Sequence, residues 1–280
     1  MKTISSRQNP IVRACRELAA TPDAAGRRLL LDGVHLVREA RAAALEFEAV
    51  AVASSHLVGD TEEGDLARSL ESTGAPVFSV TGTAFSAMSP VRFPSGILAI
   101  ARRTPSDEGT ICRTHNAFIL IAVDVQDPGN LGALARVAEA GGATGLLVAG
   151  ASASPFSWKA LRGSMGSALR LPIVAGLTPD AIVRSARISG AATVAAVPRG
   201  GRAPEAVDWR GPMALLLGGE GPGLPAGLFG QCDELVTIPM APPVESLNIA
   251  VAGAILLYAA RRQRSPLGDA RGVLSDSRTT

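Results

Sequence analysis

Lysine is almost missing from this chain: Lys2 and Lys159 are the only two among 27 basic residues, so its positive charge is nearly all arginine. Against 25 acidic residues the net charge is only +2, and charge by itself selects no partner. Guanidinium forks suit phosphates and carboxylates, but an arginine preference can equally be compositional. Cysteine is scarce. Cys15, Cys112 and Cys232 lie far apart with no CxxC pair, which argues against a disulfide framework or a zinc site and for reduced thiols in a cytoplasm. His35, His56 and His115 are scattered without a ligand or triad neighbour, so no metal is expected. No apolar run approaches the roughly 20 residues of a membrane span, and the N-terminal MKTISSRQNPIVRAC lacks the apolar core of a signal peptide. A soluble cytoplasmic protein is expected. Common catalytic fingerprints are absent as well. There is no GxGxxG after a strand, and the only candidate phosphate-loop lysine, Lys159, follows Trp158. Ser164 and Ser246 sit in no GxSxG elbow. Dinucleotide-dependent redox chemistry, phosphate-loop NTPase chemistry and serine hydrolysis are all disfavoured.

What is present is apolar material in an α/β rhythm. With 47% hydrophobic residues over 280 positions, the chain can fill one large core or two modest ones. In the first hundred residues the periodicity predicts helices over 9–20, 34–45 and 66–72, with strands over 28–31, 47–53, 76–80 and 96–101. The opening carries Arg7, Asn9, Arg13 and Arg16, which is either a nucleic-acid contact or a solvated helix face. RRTPSDEGTICRTHN (102–116) has linker composition, so the expected organisation is a small α/β domain at 1–105, a linker at 106–116 and a second domain at 117–264. The polar tail, 265–280, is expected to be disordered. In the second domain, strands are predicted at 118–125, 144–150, 172–175, 192–197 and 213–218, and helices at 131–141, 155–169 and 179–189. That alternation argues for a mainly parallel sheet covered on both faces.

The chain's most distinctive stretch is ELVTIPMAPPVESLNIAVAGAILLYAARR (234–262): a short strand, a loop stiffened by prolines into extended geometry, then a helix. From Ile249 to Ala260 only Tyr258 carries a polar side-chain atom, so the helix needs burial on most of its circumference, in this subunit or against another. Ser246 and Asn248 are cap-type residues at its mouth. The trailing Arg261, Arg262 and Arg264 suit a helix C-terminus or RNA. Gly218-Gly219-Glu220-Gly221-Pro222-Gly223 follows an apolar strand directly, where glycines admit a ligand to the backbone or merely form a turn. Asn130 reads as a helix N-cap. The core stripe of the helix after it is Leu131, Leu134, Ala135 and Ala138, which leaves Arg136 outside the core, with bare Gly132 one turn before it expected to leave its approach unshielded. Arg136 there can hold a phosphate, stay solvated or pair with Glu139.

Three stretches occur in order: DVQDPGNLGALARVAEAGG (124–142), LLLGGEGPGLP (215–225) and VTIPMAPPVESLNIAVAGAILLYAARRQR (236–264). Together they resemble the three signature motifs of the SpoU/TrmH branch of the SPOUT RNA 2′-O-ribose methyltransferases. RGSMGSALRLPIV (162–174) is similar to the family's intervening segment. ISSRQNPIVRACREL and LLLDGVHLVREA resemble its small RNA-binding domain, with Asp32 where glutamate is usual. The resemblance implies a parallel-sheet methyltransferase domain with a C-terminal trefoil knot and a homodimer. It implies S-adenosyl-L-methionine bound largely by backbone groups at Gly218, Ile238 and Leu247. Asn130, Arg136, Glu220, Ser246 and Asn248 match the family's polar active-site positions.

The implied reaction is methylation of a ribose 2′-hydroxyl in structured RNA, with 23S rRNA favoured because the extension looks like those of the ribosomal-RNA enzymes. A guanidinium holds its proton, so Arg136 is expected to clamp the adjacent phosphate and stabilise developing oxyanion charge. Asn130 would orient Arg136 or the ribose, Ser246 and Asn248 would shape the pocket, and Glu220 would position loop or substrate. A tRNA ribose methyltransferase shares the motifs, and a non-catalytic RNA-binding assembly factor is a rival of another class.

Overall fold

The computed structural model describes residues 1–221 and 223–264; the tail expected to be disordered lies outside the described residues. Two sheets organise the chain. The first is built from β1 (Lys2–Ile4), α1 (Pro10–Ala20), β2 (Arg28–Asp32), α2 (Val34–Ala42), β3 (Glu46–Ala53), α3 (Glu62–Ser72), β4 (Val77–Val80), α4 (Gly82–Met88) and β5 (Ile97–Arg102). Its strand order is β1-β4-β3-β5-β2, with β5 antiparallel to both β2 and β3. Along β2 the period of two sends Leu29 and Leu31 to the core shared with α2 and α3, and Leu30 to the core shared with α1 and α4. Asn9 is fixed as the N-cap of α1, its Oδ1 accepting from Ile11 N at 2.9 Å, so of the four polar residues at this edge only the arginines stay open to a partner. β1 and α4 escape the sequence reading because three and seven residues are too few to establish a period.

The second sheet follows α5 (Glu108–Cys112). Its elements are β6 (Phe118–Val123), α6 (Pro128–Gly141), β7 (Gly145–Ala149), α7 (Trp158–Ser164), α8 (Ser167–Arg170), β8 (Ile173–Leu177), α9 (Pro179–Ile188), β9 (Ala192–Ala196), β10 (Met213–Gly218), α10 (Ala226–Phe229), β11 (Glu234–Val236) and α11 (Ile249–Arg264). The order is β11-β9-β10-β6-β7-β8, parallel throughout. Residues of β6 are buried on both faces, Phe118, Leu120 and Ala122 toward α6 and α11, Ile119, Ile121 and Val123 toward α5 and α9. This is why its sequence reads as a continuous apolar run.

Within the stretch 106–116, expected as a linker, Ile111 and Cys112 of α5 are buried in the core of the second sheet. Two expectations are corrected. The helix expected over 155–169 is broken, because Met165 and Gly166 both take positive φ (50° and 93°) and end α7 before α8 begins. The loop 240–245 is not extended either, since Val244 N donates to Ala241 O at 3.1 Å and closes a turn. The two sheets also share one continuous core through Phe156 and α7. Polar ties reinforce the junction. The buried Asp32 carboxylate accepts from Ser95 Oγ at 2.5 Å and from the Arg162 guanidinium at 3.3 Å. Arg170 bridges Glu39 and Glu139.

The C-terminal arginines divide. Arg264 donates to the carbonyls of Trp209, Gly211 and Asn116 at 2.6 Å and lies 4.8 Å over the Phe118 ring; burial pulls its pKa down. Arg261 donates to Ala140 O. Both therefore anchor the helix end, and Arg262 stays exposed.

Candidate active site

In an open parallel sheet, ligands gather at the carboxyl ends of the strands where the order reverses. Here that point lies between β6 and β10, which run side by side and end together at Val123 and Gly218. After β6, Asp127 caps α6 by accepting from Asn130 N at 2.9 Å. Asn130 is thus the third helical residue and not the cap, which leaves its side-chain amide free. That amide donates to Glu220 Oε1 and accepts from Asn248 Nδ2 at 2.9 Å. Asn248 is the true cap of α11: its Oδ1 accepts from Ala250 N at 2.9 Å and Val251 N at 3.3 Å, so its Nδ2 must point outward. A directed chain of hydrogen bonds, Asn248 to Asn130 to Glu220, therefore joins the three motifs. The carboxylate oxygen accepts from the Asn130 amide nitrogen, which leaves the Asn130 oxygen to accept from Asn248. Glu220 is exposed and meets α6 in its first turn, where the helix dipole favours negative charge.

Beside this chain lies a cavity of about 410 Å³. The loops after β9 (Val197, Pro198), β10 (Gly218 to Gly221) and β11 (Ile238) form one side, and Ser246, Leu247, Asn248 and the first turns of α11 form the other. Six of the eight predicted residues, Gly218, Glu220, Ile238, Ser246, Leu247 and Asn248, line it. Asn130 is reached through its hydrogen bonds. Val197, Pro198, Leu217 and Met240 also line it and were missed; the available signal was that Val197 and Pro198 follow an apolar strand at its carboxyl end.

At Gly218 and Gly132 the close approach is made by the chain itself. A Cβ on Gly218 would lie 2.2 Å from both Gly223 C and Leu224 N, so its bare side meets the returning loop and not a ligand. Likewise a Cβ on Gly132 would lie 2.2 Å from Ala160 O, because α6 and α7 touch there. Gly132 is buried and opens no approach to Arg136.

Arg136 is exposed and outside the core, as the helix period requires. Among the described residues it has no ion-pair partner, since Glu139 is taken by Arg170 at 2.7 and 2.9 Å. It stands six residues beyond Asn130, about 9 Å up the helix and roughly 120° around it. It does not line the cavity.

A model of the SpoU rRNA Methylase family matches residues 109–258. The chain belongs to that family. A full-length relative from Bacillus subtilis, the 23S rRNA (guanosine(2553)-2′-O)-methyltransferase RlmP, is 30% identical over 92% of this chain and 98% of its own. An uncharacterized tRNA/rRNA methyltransferase of Synechocystis is 32% identical over 94% of both chains. The crystal structure of an AdoMet-bound rRNA methyltransferase from Sinorhizobium meliloti superposes with a TM-score of 0.79 at 28% identity, covering 93% of this chain and 97% of that one. The fold is the α/β parallel-sheet class of these enzymes, and the protein is a methyltransferase that uses S-adenosylmethionine. The cavity fits that cofactor: its volume lies in the ~300–1,000 Å³ range of small-molecule sites, and its wall is mainly apolar side chains and loop backbone, with one carboxylate, Glu220. Among the described residues no group of three or more His, Cys, Asp or Glu is placed to hold a metal ion, and no helix is long and apolar enough to cross a membrane.

Proposed function

We propose that this SpoU-family enzyme methylates a ribose 2′-hydroxyl of 23S rRNA, and that its eight motif residues divide between holding the cofactor and aligning the ribose. The observation that carries this is the hydrogen-bonded chain Asn248–Asn130–Glu220 at the lip of the cavity. When bound, S-adenosylmethionine supplies an electrophilic methyl group. The backbone at Gly218, Ile238 and Leu247 holds its neutral edges. Ser246 and Asn248, at the mouth of α11, shape the side that faces the RNA. Glu220, fixed by the Asn130 amide, orients the loop or a ribose hydroxyl. Arg136 binds the phosphate next to the reacting ribose, as its exposure and freedom from carboxylates allow. Such alignment is the main thing a displacement needs from the protein. The unit 1–105 selects the RNA, using the arginines of α1 to contact phosphates. A substrate of this kind puts the protein in the cytoplasm.

Mapping 2′-O-methylation on total RNA from cells with and without the protein tests the reading. Loss of one methylated position in 23S rRNA is expected. Loss in tRNA instead would transfer the assignment to that substrate, and no change at any ribose would sink the activity.

We further propose that the working form is a homodimer built on α11, whose chain path back from β11 at the sheet edge to its seat against α6 fits the trefoil knot implied by the motifs. One face of α11 packs on α6, but Val251, Ile255 and Tyr258 are 49%, 40% and 50% exposed. They recur at a spacing of four and three residues, one apolar stripe on a helix otherwise too greasy for water. A second copy supplies the missing cover. Val251→Asp combined with Ile255→Asp is expected to halve the mass seen by analytical ultracentrifugation; an unchanged dimer would remove this face from the interface.

A further inference from the structure

A second concavity, of about 650 Å³, opens where the N-terminal unit meets α7. Its walls include Arg13, Arg16 and Glu17 of α1, Pro90 after α4, and Trp158, the first residue of α7. Arg13, Arg16 and Glu17 share one face of α1, since they are three and four residues apart. That face is exposed beside the buried stripe Val12, Cys15 and Leu18. Neither arginine has an ion-pair partner among the described residues. The Lys159 ammonium lies 5.5 Å from the centroid of the Trp158 ring.

The chain has only two tryptophans, and they are used in opposite ways. Trp209 is fully buried, donates from Nε1 to Pro204 O at 2.8 Å and meets Phe118 edge-on. Trp158 is half-buried, leans on the α1 core and turns toward a groove edged with guanidinium groups. Three residues past Pro90 stands a second aromatic of this kind. Phe93 is 83% exposed, with the Arg92 guanidinium 5.5 Å from its ring centroid.

We infer that this groove binds an unpaired nucleotide of the RNA substrate, its base stacked on Trp158 and its flanking phosphates held by Arg13 and Arg16. The inference rests on RNA being the substrate and names a site on it away from the methylated ribose. Single-stranded segments are recognised by aromatic faces for the bases together with cations along the backbone, and the groove offers both. Glu17 argues against an acidic peptide and gives an acceptor for an exocyclic amine. Because one wall comes from α1 and the other from α7, a nucleotide held there spans the junction of the two sheets. It sets the register of the RNA relative to the cavity at the strand ends.

The test uses the full-length protein and a fluorescently labelled eight-nucleotide oligoadenylate. Binding is read by polarisation, and tryptophan emission is followed with unlabelled RNA of the same sequence. Wild-type emission is expected to be quenched, since a base stacks on Trp158 while Trp209 is shielded. Trp158→Leu, which keeps an apolar cover without a stacking face, is expected to lose the quenching and to bind about 5- to 100-fold more weakly. Arg13→Gln with Arg16→Gln is expected to reduce the slope of log K against log salt by about 1.4, two single-strand phosphate contacts' worth. Unchanged S-adenosylmethionine affinity certifies the fold of each variant, and the double arginine variant, altered only at exposed positions, carries the test should Trp158→Leu fail to fold. Affinities within twofold of wild type, or binding without quenching, overturn the groove. Methylation of cellular RNA by a protein that ignores oligoadenylate overturns the groove alone, whereas a protein that neither binds nor methylates any RNA overturns the RNA reading with it.

Discussion

Arg136→Ala is expected to lower the methyl-transfer rate about 100- to 1,000-fold on the mapped RNA, while S-adenosylmethionine affinity changes by less than about twofold. The magnitude is that of removing one preorganised donor to developing anionic charge. The split follows from position. Arg136 lies outside the cavity, six residues along α6 from Asn130, so its loss removes nothing that lines the cavity. Its freedom from Glu139 matters to the size of the effect. A guanidinium already engaged by a carboxylate would lose part of its field, but Arg170 occupies Glu139, and Arg136 keeps its charge for the substrate. Arg136→Lys is expected to recover only part of the rate, because an ammonium offers a point charge where a phosphate prefers a planar fork. Single-turnover kinetics with saturating cofactor measure both variants. Near-normal turnover by Arg136→Ala would remove this residue from the reaction.

Gly218→Ala is expected to weaken S-adenosylmethionine binding at least tenfold and to destabilise the fold by about 1–3 kcal/mol, the range for forcing an extra methyl into a packed site. The added Cβ would fall 2.2 Å from backbone atoms of both Gly223 and Leu224. Backbone atoms cannot step aside as a flexible side chain can, so the loop after β10 must move outward. Gly219, Glu220, Gly221 and Gly223 line the cavity on that loop. Displacing it spoils the cavity wall and pulls Glu220 from Asn130. Isothermal calorimetry and thermal melting report the two effects separately. Wild-type affinity in this variant would mean that the loop does not shape the cofactor site.

Much of the second sheet was legible in the sequence. The strands at 118–123, 145–149 and 213–218 are buried on both faces and therefore read as apolar runs bounded by turn residues. The helix period placed Leu131, Leu134, Ala135 and Ala138 in the core and Arg136 outside it. Less legible were features fixed by contacts distant in sequence. The break at Met165 and Gly166 accommodates Glu39, whose side chain would lie 2.6 Å from a Cβ on Gly166 although the two residues are 127 positions apart. Burial of Ile111 and Cys112 within a polar segment depends on a sheet face that local composition does not describe.

Within the site, the polar residues were selected by the resemblance of three motifs to a known family, and the tertiary structure shows how they are tied together. Asn130 and Asn248 are both cap-type residues standing before apolar helices. Only the fold decides that Asp127 caps α6, which frees the Asn130 amide, while Asn248 caps α11 with its oxygen and reaches Asn130 with its nitrogen. Gly218, Gly219 and Gly132 announced close approach without naming what approaches, which proved to be the chain itself. Sequence by itself determined the α/β class and the parallel sheet, because burial and periodicity are written locally in residue type; the motif residues were named through their resemblance to a known family. Tertiary structure decided which of these residues share a hydrogen-bonded chain, which line the cavity and which, like Arg136, stand apart. Those relations depend on distances between segments some 90 and 118 positions apart, and no local pattern encodes a distance.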